Sequence, residues 1–304
     1  MTKPRFGAIE AGGSKFLCAS GTGPDDLSDV VRIPTTGPDQ TLGKVIDYFR
    51  QIAGLAAVGV ASFGPVEVDK ASPQWGSILA TPKTGWSHSD IAGRLSKALA
   101  VPVGFDTDVN GAVLAEQRWG AAMGSNAAAY VTVGTGIGGG FILRGETLHG
   151  ARHPEVGHIV PRRHPRDPAF PGTCPFHGDC LEGLASGRAI EARWGATLAD
   201  LPPTHEAHEI VAWYLAQLVV AIEAFVAPDR LILGGGVMQT PGLHALVRTL
   251  ARDFAAGYFG VGATDVNYEN LIRAPGLAEQ SGLLGAICLA NDAWIKSASP
   301  LGPA

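Results

Sequence analysis

The stretch Phe6-Gly7-Ala8-Ile9-Glu10-Ala11-Gly12-Gly13-Ser14-Lys15-Phe16 decides the fold. Residues 6–9 read as an apolar strand, Gly12-Gly13 as a tight turn, and the residues up to about 20 as a second strand. The pattern returns at Thr132-Val133-Gly134-Thr135-Gly136-Ile137-Gly138-Gly139-Gly140, between strands expected over 129–133 and 139–143. A third glycine run, Gly234-Gly235-Gly236, ends a strand over 230–233. Glycine at the end of a strand lets backbone N–H groups approach a phosphate without interference from a Cβ. One such loop is weak evidence, because a Gly-Gly hairpin turn is common. Three in one chain point to a nucleoside triphosphate held between two similar halves. Gly12-Gly13-Ser14-Lys15 joins two strands, so it is not the strand-to-helix phosphate loop of the Gly-x-x-x-x-Gly-Lys-Ser/Thr type.

Working outward, residues 42–54 carry Leu42, Val45, Ile46, Phe49 and Ile52 at helical spacing. Residues 56–63 read as a buried strand, 91–99 as helix, 101–105 as a short strand and 111–119 as helix. In the second half, helices are expected over 186–194, 208–226, 243–255 and 281–293. Two strand–turn–strand units, each followed by alternating helices and strands, predict two α/β domains of related design. The expected boundaries are 1–108, with 286–304 packing back on it, and 109–285, which includes a long loop over 150–183. The tail over 297–304 is expected to be disordered.

The 304 residues are 46% apolar and 17% charged, the composition of a compact folded protein. A net charge of −5 gives no basic surface to favour a nucleic-acid or membrane-surface partner. No apolar run reaches the roughly 18 residues of a membrane span, and residues 1–5 show no signal-peptide pattern, so a cytoplasmic location is expected. Cys18 and Cys288 sit in apolar surroundings and read as buried thiols, whereas Cys174 and Cys180 sit in a loop rich in Pro, His and Gly. There Cys174-x₂-His177-x₂-Cys180 has the spacing of a structural zinc site. His153 and His164 are lesser candidates beside His158.

Phosphoryl transfer to a hydroxyl needs a carboxylate to orient the nucleophile and take its proton. Asp106 and Asp108, in Asp106-Thr107-Asp108-Val109-Asn110 at the end of a strand, compete for that place. Asp108 also reads as an N-cap for the helix that follows. Glu10 could orient a water on Mg²⁺ or serve as a buried structural acid.

The order of the glycine segments, with His153-Pro154-Glu155-Val156-Gly157-His158 and Cys174-Pro175-Phe176-His177-Gly178-Asp179-Cys180-Leu181-Glu182-Gly183 between them, resembles the ROK family of sugar kinases and repressors, and most closely its bacterial fructokinase branch. The resemblance spans about residues 6–290. It implies two actin-like (ribonuclease H-like) domains with a cleft between them, a zinc-stabilised loop and closure that excludes water. The implied reaction is ATP-dependent phosphorylation of a hexose, D-fructose at its 6-hydroxyl before glucose, mannose or another hexose. Under the resemblance Asp108 is the base. Gly12, Gly13, Ser14, Lys15, Gly134, Thr135, Gly136 and Gly138 face the phosphates of Mg²⁺-ATP, and Gly234, Gly235 and Gly236 the adenosine. His158, Cys174, His177 and Cys180 bind the zinc, with His177 where other members carry a third cysteine. Glu155, His158, Glu182 and Asn110 line the sugar site, with Gly64, Pro65 and residues 81–86 on its opposite wall. Trp86 reads equally as packing between domains. The resemblance also implies a homodimer. A repressor would need a DNA-binding segment ahead of residue 6, and a non-catalytic sugar sensor would lack Asp108.

Overall fold

The computed structural model describes residues 4–260 and 266–298. Contacts divide the chain into two units: residues 1–119, 147–153 and 277–304 form the first, and residues 120–146 and 154–276 the second.

Unit 1 begins with β1 (Arg5–Ala11), β2 (Lys15–Gly21) and β3 (Val31–Pro34), an antiparallel ribbon. Then come α1 (Pro38–Arg50), β4 (Leu55–Ser62), α2 (Ala92–Leu99), β5 (Val103–Thr107) and α3 (Asp108–Trp119). The strands form one sheet in the order β3-β2-β1-β4-β5, with β4 parallel to both β1 and β5. The apolar side of α1 buries Leu42, Val45 and Phe49 in a core with Ile9, Phe16, Val58 and Val60.

Unit 2 contains β6 (Ala127–Val133), β7 (Ile137–Leu143), β8 (Glu146–Thr147), α4 (Leu181–Ala185), α5 (Gly187–Trp194), α6 (Glu206–Val226), β9 (Arg230–Gly234), α7 (Leu243–Ala255), α8 (Tyr268–Leu271) and β10 (Ile272–Arg273). Thr147, the last residue of β8, already belongs to unit 1 by contacts. The sheet runs β10-β9-β6-β7-β8, with β6 antiparallel to β7 and parallel to β9. Taken in chain order, this is the same strand order as in unit 1, so the duplication expected from the glycine turns is a duplication of topology.

The last helix, α9 (Ser281–Ala298), lies on β1, β4 and β5 and against α3. The contact is close because glycines remove the side chains there. A Cβ on Gly59 would land on the carbonyl of Ala286, one on Gly104 on that of Leu289, and one on Gly285 on the backbone of Gly111. The N-terminus of α9 is tied to the fully buried Glu116, which accepts hydrogen bonds from the Ser281 hydroxyl (2.7 Å) and the Leu277 amide (3.1 Å).

Several expectations are corrected. The first division falls at Trp119/Gly120 rather than after Asp108, because all of α3 packs within unit 1, and the last falls at Gly276/Leu277 rather than at residue 286. Ser297 and Ala298 complete α9, whereas residues 299–304 of the expected disordered tail lie outside the described residues. Helix α6 is long and apolar enough to cross a membrane by length and composition. Here it supplies Ile210, Val211, Tyr214, Leu215, Leu218, Val219 and Ile222 to the core of unit 2. Trp86 is neither pocket wall nor domain packing. It is fully buried in unit 1 against Phe16 and Phe63, and its indole N–H donates to the Thr36 carbonyl at 2.7 Å.

Candidate active site

Strand β5 delivers an acidic turn to the start of α3. The cap of that helix is Thr107, whose hydroxyl accepts from the Asn110 amide at 3.1 Å; Asp108, expected as the cap, occupies the first helical position. The two candidate carboxylates differ in how they are used. Asp106 is buried and accepts from the Thr107 amide (2.7 Å), the Asn110 side-chain amide (2.8 Å), the Thr147 hydroxyl (3.1 Å) and His149 Nε2 (3.0 Å). All four partners belong to the protein, so this carboxylate is engaged in holding the turn together. Asp108 is only half-buried, accepts from the Val109 amide at 2.9 Å and sits in the positive end of the helix dipole.

Two site residues change character. Asn110 is fully buried and its side-chain amide donates to Asp106 at 2.8 Å, which braces the turn. His149, which sequence reasoning missed, is held by the hydrogen bond to Asp106. That bond raises its pKa above the usual imidazole value, against burial and the nearby Lys70. Its only signal in the sequence was a polar residue just ahead of the His153 motif.

Glu10 lies on β1 opposite Leu17 and beside Ala61 of β4. Burial, with the charge of Asp108 adding to it and Lys15 opposing, pushes its carboxyl up to about 7. A carboxyl raised in the folded state stabilises the fold fully below its ordinary value of about 4.5, and that contribution is lost as pH rises through about 7. Glu10→Gln is therefore expected to raise the melting temperature of the metal-free protein by a few degrees at pH 8, up to about 3 kcal/mol. At pH 4.5 the difference should vanish. Thermal melts at the two pH values check this; an equal shift at both would show that ionisation of Glu10 is not the cause.

The glycine segments divide by what surrounds them. Gly136 is filled in by Glu182 and Gly139 by Val156, while Gly234 abuts Tyr130 and Gly235 (φ +88°) abuts the Val133 carbonyl. These positions are glycine for close packing. Gly13, Gly134 and Gly236, one in each segment, would place a Cβ in open space, so packing does not explain them. In unit 1 the Gly12 amide donates to the Lys15 carbonyl and closes the hairpin, leaving Ser14 and Lys15 exposed at its tip. In unit 2 the Gly134 carbonyl accepts from the Gly187 amide at 2.7 Å, which ties the β6–β7 turn to the start of α5.

Glu182 makes a contact that residue order does not suggest: its Oε2 accepts from the Ile137 amide at 2.9 Å. It stands two residues beyond Cys180, so the cysteine loop and the β6–β7 turn are mechanically joined. The Gly157 backbone also packs directly against the Ile137 carbonyl.

The loop itself gathers four ligand atoms. Those of His158, Cys174, His177 and Cys180 all lie within 4.8 Å of one another. His158 Nδ1 is 3.8 Å from Cys174 Sγ and 3.5 Å from Cys180 Sγ, and Cys174 Sγ is 3.7 Å from His177 Nδ1. Tetrahedral zinc with ordinary Zn–S and Zn–N bonds would hold sulfur and nitrogen about 3.6 Å apart. The donor set fits. His153 and His164 stand apart: His153 Nε2 accepts from the Val66 amide at 3.2 Å beside Gly64 and Pro65, and His164 Nδ1 accepts from the Arg166 amide at 3.1 Å. An ionic clamp holds the same loop independently of the four ligands. Arg163 pairs with Asp179 and with the buried Asp167, which also receives Arg193 and the Tyr214 hydroxyl. Glu155 is exposed one turn ahead of His158.

The ROK family model matches residues 6–293. The chain belongs to the ROK family. Its ROK relatives include a fructokinase of Zymomonas mobilis, 45% identical over 95% of this chain and 97% of that protein. A fructokinase of Pediococcus pentosaceus is 39% identical over 95% of this chain and 98% of its own length. Among solved structures, a ROK hexokinase from Thermus thermophilus matches with a TM-score of 0.76 and 26% identity, covering 96% of this chain and 99% of that one. The duplicated sheets are thus those of the ROK sugar kinases.

Proposed function

We propose that this chain is an ATP-dependent fructokinase that transfers the γ-phosphoryl group to the 6-hydroxyl of D-fructose. The observation that carries the kinase reading is the pair of carboxylates where β5 passes into α3. Asp106 is saturated with donors, and Asp108 stands at the first position of α3 as the base that orients the sugar hydroxyl and takes its proton. The choice of fructose rests on the near full-length likeness to fructokinases.

Gly13, Ser14 and Lys15 of unit 1 and Gly134, Thr135, Gly136 and Gly138 of unit 2 hold the phosphates in this reading. The three open glycines are where the backbone can approach them. Beyond Gly236, a cavity of about 440 Å³ is lined by Leu201, Pro203, His208, Thr240, Pro241 and Leu246. Thr240 Oγ1 is buried there without a hydrogen-bond partner, and we assign this apolar slot to the adenine base. Magnesium, when bound, neutralises charge on the β- and γ-phosphates. Two neighbouring carboxylates, one raised to about 7, suit a hard cation, and Glu10 would hold it.

Zinc held by His158, Cys174, His177 and Cys180 would be structural, since protein would supply all four ligands. It would fix His158, whose Nδ1 faces both cysteine sulfurs, and leave Nε2 for a sugar hydroxyl, with Glu155, Gly64 and Pro65 completing the sugar contacts. Glu182 serves both substrates in this account. Its Oε2 holds the Ile137 amide of the phosphate turn, and its Oε1, which accepts no hydrogen bond among the described residues, is left for the sugar.

A coupled ADP-release assay with fructose, glucose, mannose and N-acetylmannosamine tests the reading. Fructose should give the highest kcat/KM, by at least about tenfold, the discrimination that roughly 1.4 kcal/mol of differential binding gives. Higher kcat/KM on another hexose would overturn the choice of substrate, and no turnover on any of them would overturn the kinase reading.

A further inference from the structure

A cavity of about 510 Å³ in unit 2 is lined by Arg230, Arg248, Arg273, Gly120, Ala121, Met123 and Ala274. Three guanidinium groups around one hollow are costly to assemble unless something negative joins them. The protein itself neutralises one: Arg248 pairs with Glu269 at 2.7 Å and spends Nε and Nη2 on the Ile272 carbonyl. Among the described residues Arg230 donates only to the backbone carbonyl of Asp229, whose carboxylate is taken by the amides of Asn126 and Ala127. Arg273 donates to the carbonyl and the side-chain oxygen of Asn270. Among the described residues, neither Arg230 nor Arg273 has a carboxylate partner.

The cavity is separate from the nucleotide machinery. Arg230 is the first residue of β9 and the glycine segment begins at its last, about 13 Å away at strand rise. It is also bounded by residues 120–121 and 273–274, next to the points where the chain first enters unit 2 at Gly120 and finally leaves it at Gly276.

We propose that Arg230 and Arg273, in the cavity they share with the Glu269-paired Arg248, form a second anion site, suited to a phosphomonoester and distinct from the ATP site. Planar guanidinium forks match the oxygens of a phosphoryl group, and an open hollow of this size leaves room for the esterified group.

Equilibrium dialysis of radiolabelled inorganic phosphate tests it, on the whole chain with its nucleotide site filled by a non-hydrolysable ATP analogue. The wild type is expected to bind one phosphate per chain, phenyl phosphate to displace it, and Arg230→Ser/Arg273→Ser to weaken binding at least tenfold. The double variant should keep its melting temperature and its ADP-release turnover. Absence of binding in the wild type, or equal binding in the variant, would overturn the site. Displacement by chloride at equal concentration would mark an adventitious ion only. Failure of phenyl phosphate to compete would overturn the phosphomonoester assignment.

Discussion

Replacing Asp108 by Asn is expected to lower kcat by about 10²–10⁴, the range associated with losing a general base, while KM for ATP stays within about twofold. The fold should survive. Asp108 occupies the first turn of α3, and losing its charge there costs about 0.3–1 kcal/mol of helix–dipole interaction. The informative comparison is Asp106→Asn. Asp106 accepts from Thr107, Asn110, Thr147 and His149, so the substitution turns acceptors into donors in a buried network. That variant should lose stability by about 1–3 kcal/mol together with its activity. If instead Asp106→Asn stayed stable and inactive while Asp108→Asn remained active, the two roles would be exchanged. Steady-state kinetics and thermal melts on the pair distinguish these outcomes.

Cys180→Ser is expected to be the most damaging change outside the acidic turn. Cys180 is fully buried, faces His158 Nδ1 at 3.5 Å and immediately precedes α4. Removing one thiolate from a four-ligand zinc site loosens the loop that carries Glu155, His158 and Glu182. Since Glu182 also holds the Ile137 amide, the damage should not stop at the sugar. Zinc content should fall from one per chain towards none, and KM should rise for both fructose and ATP, with kcat/KM down at least about a hundredfold. A rise in the fructose KM alone would break the proposed link between the metal loop and the phosphate turn. The ionic clamp of Arg163, Asp167, Asp179 and Arg193 should keep unit 2 folded, so the variant remains measurable.

The features legible in the sequence were those with a local cause. The glycine turns could be read because a strand ending in glycine carries its own signature, and both sheets followed from them. The Cys174-x₂-His177-x₂-Cys180 cluster could be read because three of its four donors stand at short, regular spacing in one loop. What escaped depends on partners far along the chain. Nothing near Trp86 says that Phe16 and Phe63 enclose it, and nothing near Asp106 says that His149 will reach it. The contact of Glu182 with Ile137 spans a similar distance in sequence. Strands β3, β8 and β10 are too short, at four, two and two residues, for an alternating pattern to register. Thr107 rather than Asp108 caps α3 because the strand runs two residues further than its apolar residues indicate.

The central claim is that this chain moves a phosphoryl group from ATP to one hydroxyl of fructose with Asp108 as the base. The most direct test is ³¹P NMR of the product formed from fructose and Mg²⁺-ATP by wild type and Asp108→Asn at equal enzyme concentration. The account predicts fructose 6-phosphate and ADP in equal amounts from the wild type, and a rate lower by at least about a hundredfold from the variant. Phosphate on another hydroxyl, ADP with free phosphate, or an unimpaired variant would contradict it.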